Sequence, residues 1–391
     1  MTHDFSQIKM SWNYPTKIHF GVGRINDLPE ACRSLGMQAP LLITDQILAR
    51  LPMIEQSKSL CISAGLRCEI FSQVQANPVE ADVVAGVEAY HAGQHDGVIA
   101  MGGGSALDAA KAVALMVGQD RPLWDFEDQA DWYTRVNEAG MAPVVAVPTT
   151  SGTGSEVGRC SVITDVRDDT KKIIFHPNML PAVVIADPQL TVTLPAHITA
   201  AVGMDALSHN LEAWCSPLYH PMADGIAVEG IKLVQRYLLR AYTQADDLTA
   251  RSQMLIASTM GATAFQKGLG AMHAMSHPCG AVLHTHHGLT NAVVMPYVLA
   301  FNRSAIEGRI VELAHAMQLS NPSFDGFMQW VLQVRQDLKI PHTLSEIGVG
   351  TEHVSDLARR AVVDPTAATN PINLTVEKLE GLFHNALTGI L

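Results

Sequence analysis

Apolar residues in the first half of the chain fall into short unbroken runs. Four stand out: Pro40-Leu-Leu-Ile-Thr-Asp45, Gly97-Val-Ile-Ala-Met101, Ala142-Pro-Val-Val-Ala-Val147 and Ala182-Val-Val-Ile-Ala186. A strand with one wet face alternates apolar and polar residues. Runs that are apolar on both parities belong to a parallel sheet covered on both faces. Between these runs, 79–92 and 106–117 carry amphipathic helical spacing. Strand–helix alternation of this kind predicts a doubly wound α/β, Rossmann-like unit. Residues 12–20 read as an extended pair of strands. The following Phe20-Gly-Val-Gly-Arg-Ile-Asn26 reads as a turn, because Asn26 stands where a third glycine would complete a dinucleotide fingerprint.

The pattern changes after Asp187-Pro188. Stretches 195–220, 225–242, 245–263, 305–317 and 324–338 have helical periodicity, and no β-branched run interrupts them. The chain therefore divides into an α/β unit over 1–187 and an all-helical unit over 188–391. That fits a length of 391 residues, since domains usually hold about 100–200.

Charge and composition narrow the function classes. The net charge is −12, which disfavours general nucleic-acid binding. No apolar run reaches the roughly 18–20 residues of a membrane span, so no membrane partner is expected. The N-terminus, Met1 to Met10, lacks the apolar core of a secretory signal, and a cytoplasmic location is the expectation. The six cysteines form no CxxC pair, which points to reduced, buried thiols. Histidine is the unusual residue: there are 17, and five lie between His273 and His287.

Three motifs carry chemistry. In Met101-Gly-Gly-Gly-Ser-Ala-Leu-Asp-Ala-Ala-Lys111, three glycines follow a buried strand and open a helix. Without Cβ atoms, Gly102, Gly103 and Gly104 let the backbone approach an anion, and the N–H groups of the helix start point at it. Ser105 can cap the helix and donate to a phosphate. The second motif, Pro148-Thr-Thr-Ser-Gly-Thr-Gly-Ser-Glu156, sets five hydroxyls and two glycines after another strand. Such a loop suits a nucleotide. Asp45, ending the first strong strand, is placed either to accept the adenosine ribose hydroxyls and repel a 2′-phosphate, favouring NAD, or simply to cap the next helix.

The third motif is a metal set. Asp205 and His209 stand four apart on one helix face, and His273 and His277 repeat that spacing. His284-Thr-His-His-Gly288 follows. One carboxylate and three imidazoles make a first shell for a divalent ion with a position open to substrate. Spacing alone does not select which of the later histidines bind.

In order and together, these motifs resemble the iron-dependent (group III) alcohol dehydrogenases. The resemblance runs from the glycine and hydroxyl loops through Asp187-Pro188, Gly203-Met-Asp-Ala-Leu-Ser-His-Asn-Leu-Glu212 and Gly268-Leu-Gly-Ala-Met-His-Ala-Met-Ser-His-Pro278 to His287-Gly288. It implies a Rossmann-like dinucleotide-binding domain, an all-α metal-binding domain, and an active site in the cleft between them. Metal ligation falls on Asp205, His209, His273 and His287, with Fe²⁺ the usual ion and Zn²⁺ an occasional one. His277 falls near the nicotinamide on the proton path. NAD(H) contacts fall on Asp45, Asn77, Gly104, Ser105, Thr149, Thr150, Thr153 and Lys171. A homodimer joined through the N-terminal strands is the assembly it implies.

Two departures stand out. Ala264 occupies a position where the family often has an aromatic, and Lys267 replaces a usual alanine about one and a half to two helical turns before His273. A lysine there, facing the cleft, would select an anionic substrate such as an ω-hydroxy acid, a phosphonate or a sulfonate. The histidines at 284 and 286 also offer alternative ligands beside His287. The expected reaction is hydride transfer between nicotinamide and a small primary alcohol or aldehyde. A polyol or maleylacetate-type dehydrogenase is the nearest alternative. A dehydroquinate-synthase-like lyase would need several basic residues for a phosphate leaving group, and Lys267 is the one clear candidate. A non-enzymatic role gives no reason for two anion-cradling loops beside a metal set.

Overall fold

The computed structural model describes residues 13–391. Its first half is built on a six-stranded parallel sheet in the order β1-β8-β5-β4-β2-β3. The strands of this sheet are β1 (Lys17–Phe20), β2 (Pro40–Asp45), β3 (Glu69–Val74), β4 (Gly97–Gly102), β5 (Val144–Pro148) and β8 (Val183–Ala186). The four apolar runs form β2, β4, β5 and β8, each buried along nearly its whole length. Helices α1 (Leu28–Ser34) and α2 (Pro52–Ser63) cover one face, where Leu42, Ile99 and Met101 point. Helices α3 (Glu80–Ala92) and α4 (Gly104–Met116) cover the other, packing on Leu41, Ile43, Val98 and Ala100. Successive side chains of one strand feed opposite cores, which is why these strands read as continuous apolar runs.

Two strand regions escape the hydrophobic pattern. The strand β3, Glu-Ile-Phe-Ser-Gln-Val, lies at the sheet edge with half its residues wet. The antiparallel hairpin β6 (Cys160–Asp165) and β7 (Thr170–Phe175) leaves the sheet altogether. Of the expected N-terminal strand pair, the described residues hold the single strand β1; Trp12 and the segment before it lie outside them.

Chain order reverses between β2 and β4. The connection after β2 runs over one face and that after β4 over the other, so their C-terminal ends open a crevice. Open α/β sheets bind ligands at such a switch point. Asp45 ends β2 and Gly102 ends β4, so both sequence candidates stand on its two lips.

The second half is helical: α5 (Ala196–Cys215), α6 (Pro221–Thr243), α7 (Leu248–Ala264), α8 (Ala271–Leu283), α9 (His287–Ala316), α10 (Phe324–Asp337), α11 (Val354–Val362) and α12 (Val376–Thr388). Sixteen residues of α5 are buried, making it the central post of this half. Only the end of α9 was expected as a helix. Its first half contains Gly288 and Pro296, which weaken the periodic signal, yet it is continuous and buried. No helix among the described residues is long and apolar enough to cross a membrane, and all six cysteines are free.

Gly102 tests this geometry. Its φ is +153°, and a Cβ there would stand 2.6 Å from the Ala106 Cβ. Gly102→Ala is expected to cost about 2 kcal/mol of stability, read as a lower midpoint in urea unfolding. An unchanged midpoint would mean the β4–α4 corner is looser than described.

Candidate active site

The glycine corner and the hydroxyl loop touch. Thr149 N–H donates to the Gly102 carbonyl at 2.9 Å. A Cβ on Gly103 would stand 3.3 Å from Thr150, and one on Gly104 only 2.5 Å from Thr153. The glycines thus serve two ends: they free the N–H groups of α4 and let the threonine loop close over them. Ser105 Oγ donates to the Ala76 carbonyl, tying α4 to the segment that carries Asn77. The Asp45 Oδ1 accepts from the N–H groups of Ile47 and Leu48 at 2.9 and 2.8 Å, so the capping role is real. Its Oδ2 faces Gly102. The hydroxyls of Thr44 and Thr149 are buried without a partner, as expected of groups awaiting a polar ligand. Asp45, Asn77, Gly102–Ser105 and Thr149–Thr153 all lie at the C-terminal edge of the sheet, a cradle that suits a dinucleotide.

Beneath this loop, α4 acts as a clamp. Lys111 is buried and donates to the Ser155 carbonyl at 3.1 Å, while Asp108 lies 3.1 Å from its ammonium. Asp108 also accepts from Ser155 Oγ and from Val162 N–H. The hairpin held in this way carries Lys171, whose Nζ lies against Gly280 of α8. Burial lowers the Lys171 pKa, against the pull of Asp108, Asp205 and Asp364.

On the helical side, Asp205 and His209 of α5, His273 of α8 and His287 at the start of α9 offer ligand atoms that all lie within 4.8 Å of one another. Each imidazole is held from behind. His209 Nδ1 meets the Gly152 carbonyl at 3.3 Å, His273 Nδ1 meets Glu212 at 2.6 Å, and His287 Nδ1 meets Ser276 Oγ at 3.1 Å. Such contacts fix tautomer and ring direction and leave Nε2 as the lone pair facing inward. Burial holds His209 down to about 4, and burial with its neighbours lowers His287 well below the usual value. Burial acts downward on His273 as well, but its bond to Glu212 and the nearby carboxylates carry it above the usual range.

Asn291, one turn beyond His287, reports what the set lacks. Its Nδ2 lies 2.9 Å from Asp205 Oδ1 and 3.3 Å from Nε2 of both His273 and His287. An amide nitrogen has two hydrogens for these three acceptors, and its Oδ1 is buried without a partner. Converging acceptors short of hydrogens are the donor set of a cation. One oxygen and three nitrogens suit Fe²⁺ or Zn²⁺, so the residues present fit a divalent metal. Gly288 makes the approach of α9 feasible, because a Cβ there would lie 2.5 Å from the Ala201 carbonyl of α5.

The other histidines have separate duties. His284 ends α8 with φ +55°, and His286 Nδ1 accepts from Leu289 N–H at the start of α9. Neither joins the converging set. The His277 ring stacks on that of His287 at 5.3 Å, and its Nδ1 bonds Asp364 at 2.8 Å. Four of these supporting residues, Glu212, Ser276, Asn291 and Asp364, went unassigned from sequence. For Glu212 and Asn291 the helical offset was a usable signal: they follow His209 by three and His287 by four. Asp364 lies 87 residues from His277, and no spacing rule reaches that far.

Lys267 does not face the cleft, contrary to expectation. The helix expected to run from it to His273 is broken: α7 ends at Ala264, and Gly268 has φ +121° with Thr369 filling the space a Cβ would take. The turn sends Lys267 into the protein, where its ammonium pairs with Asp224 and donates to the Trp214 carbonyl. Arg309 shares that carboxylate at 2.8 Å. A charge so neutralised gives no basis for anion selection in the cleft. The aromatic missed at Ala264 is supplied by Phe265, whose ring lies 5.3 Å from His209.

Comparison with known proteins agrees with this geometry. Residues 15–188 match the profile described as iron-containing alcohol dehydrogenase, and residues 199–387 match that family's C-terminal profile. A 4-hydroxybutyrate dehydrogenase from Cupriavidus necator is 37% identical over 92% of this chain and 94% of that protein. An NAD-dependent methanol dehydrogenase from Bacillus methanolicus is 33% identical over 94% and 97%. The crystal structure of a 1,3-propanediol oxidoreductase superposes with a TM-score of 0.91 at 31% identity, covering 97% of this chain and all of that one. The chain belongs to the iron-containing alcohol dehydrogenase family and is an enzyme of that type.

The buried position of Lys267 has a kinetic consequence. In Lys267→Met, kcat/KM for a neutral and for an anionic aldehyde of equal length is expected to change by the same factor, within about twofold. Selective loss on the anionic aldehyde would return Lys267 to the substrate site.

Proposed function

We propose that this enzyme transfers hydride between NAD(H) and a small primary alcohol or aldehyde, with Fe²⁺ held by Asp205, His209, His273 and His287. In this reading residues 1–187 form the dinucleotide domain and 188–391 the metal domain. The observation that carries it is the bond from His209 Nδ1 to the Gly152 carbonyl: a ligand of the metal set is oriented by the loop that closes the dinucleotide cradle. Cofactor and metal sites built this way face one cleft.

When bound, the metal supplies Lewis-acid stabilisation of charge on the substrate oxygen, and the nicotinamide gives or takes the hydride. The chain's own groups do the rest. Glu212, Ser276 and the Gly152 carbonyl hold the imidazoles with Nε2 facing inward. Asp364 accepts the Nδ1–H of His277 and leaves Nε2 to take or return the proton at the cleft. Asp364 is itself fixed by the Thr366 N–H and hydroxyl at 2.9 and 2.6 Å. Gly102–Ser105, Thr149, Thr150 and Thr153 bind the pyrophosphate and nicotinamide portions, with Asn77 and Lys171 on the flanks. Asp45 offers its Oδ2 to the adenosine ribose, which favours NAD over NADP.

Similarity to the 4-hydroxybutyrate dehydrogenase supports hydroxy acids as candidate substrates, though not through Lys267. The lyase alternative weakens further with Lys267 consumed by Asp224. A homodimer through β1 completes the proposal: among the described residues β1 ends the sheet order, and Phe20 is exposed there.

Two experiments test this reading. Stripping metal with a chelator is expected to abolish aldehyde-dependent NADH oxidation while NADH still binds by fluorescence, and Fe²⁺ is expected to restore turnover. His209→Ala is expected to bind neither iron nor regain activity; full turnover by metal-free enzyme would refute the proposal. For cofactor choice, Asp45→Ser is expected to raise the NADPH/NADH ratio of kcat/KM about tenfold or more, since one lost repulsion of about 1.4 kcal/mol suffices. An unchanged ratio would reduce Asp45 to its capping role.

A further inference from the structure

Arg251 lies in the first turn of α7 and is 2% exposed. Its Nε donates to the Ala245 carbonyl at 2.9 Å, and its Nη1 donates to the Thr199 hydroxyl at 2.9 Å. Its Nη2 is buried and has no hydrogen-bond partner. Burial lowers its pKa, and no carboxylate among the described residues pairs with it. The two lysines fully buried among the described residues are treated differently, for Lys111 is paired with Asp108 and Lys267 with Asp224. A guanidinium does not discard its proton in a protein, so the charge stays. A buried charge left unpaired is strongly disfavoured.

A small cavity adjoins this group. Arg251, Thr199 and Ser151 are the polar residues of its wall, and Val202, Leu238 and Met254 are among the apolar ones. Its volume is about 10 Å³, the lower bound for one guest near the size of a water molecule. A water would satisfy Nη2 but bring no charge. A small anion would do both, and the Thr199 hydroxyl, which accepts from Nη1, keeps its own hydrogen to donate. Larger anions are excluded by volume, and divalent ones would overcompensate a single guanidinium.

We propose that this cavity is a binding site for one small monovalent anion, chloride or its like, held by the free Nη2–H of Arg251 and the hydroxyls beside it. The site joins three elements. Ser151 precedes Gly152, whose carbonyl orients His209. Thr199 and Val202 lie on α5 ahead of Asp205, and Arg251 belongs to α7. An anion here fastens the hydroxyl loop to the two helices without touching substrate or metal.

The test uses metal-loaded enzyme. Thermal unfolding is followed in sodium chloride and in sodium gluconate at matched ionic strength, gluconate being too large for the cavity. Chloride is expected to raise Tm in proportion to the logarithm of its concentration above the dissociation constant, by about 2 °C at ten times that constant, and Arg251→Met is expected to lose the chloride-specific part. Crystals of the wild type grown in bromide are expected to show an anomalous peak within hydrogen-bonding distance of Nη2. This second measurement stands even if Arg251→Met fails to fold. Equal Tm in both salts, a chloride response kept by Arg251→Met, or a water with no bromide peak would each overturn the proposal.

Discussion

Four lone-pair donors aimed at one buried point repel one another. The carboxylate of Asp205 and the inward nitrogens of His209, His273 and His287 are arranged in this way, within 4.8 Å of each other. Only a cation makes such a convergence favourable, because neutral hydrogen-bond donors run out: the Asn291 amide reaches three of the acceptors with hydrogens for two. The surrounding structure is organised to hold that unfavourable cluster open. The buried post α5, the glycine contact of α9 and the backing groups Glu212, Ser276 and Gly152 each restrain one ligand.

The same restraint links the two halves of the chain. Gly152 belongs to the loop that closes on the glycine corner, and Gly154 and Gly152 pack so tightly on α7 and α5 that a Cβ would meet Ala262 at 2.3 Å and Val202 at 2.8 Å. Lys111 anchors the far end of this loop from below. Movement of the loop would therefore disturb both the cradle and His209. The dinucleotide and the metal are expected to report on each other's binding for this reason, since a shared rigid element is the physical carrier of coupling.

Much of this was legible in the residues. Runs apolar on both parities gave β2, β4, β5 and β8, since a sheet covered on both faces demands them. The i,i+4 pairs placed Asp205 with His209 and His273 with His277, because helical geometry is local. Legibility failed where local rules were overridden. The edge strand β3 and the hairpin β6–β7 bury too little to leave an unbroken apolar run. Pro296 hid the continuity of α9, which tertiary packing sustains. Lys267 was misplaced because one glycine, Gly268, turns the chain where a continuous helix was assumed, and its partner Asp224 lies 43 residues away. Choosing His287 over His284 and His286 required the family resemblance; the structure supplies a physical reason, giving the other two helix-end positions.

The central claim is that these four side chains bind one metal ion opposite the dinucleotide cradle. Anomalous diffraction at the iron edge, on crystals grown with Fe²⁺ and NADH under exclusion of air, tests it most directly. A single strong peak is expected within bonding distance of Asp205, His209, His273 and His287. A peak bound by other residues, with these four turned away from it, would show that they do not hold the metal.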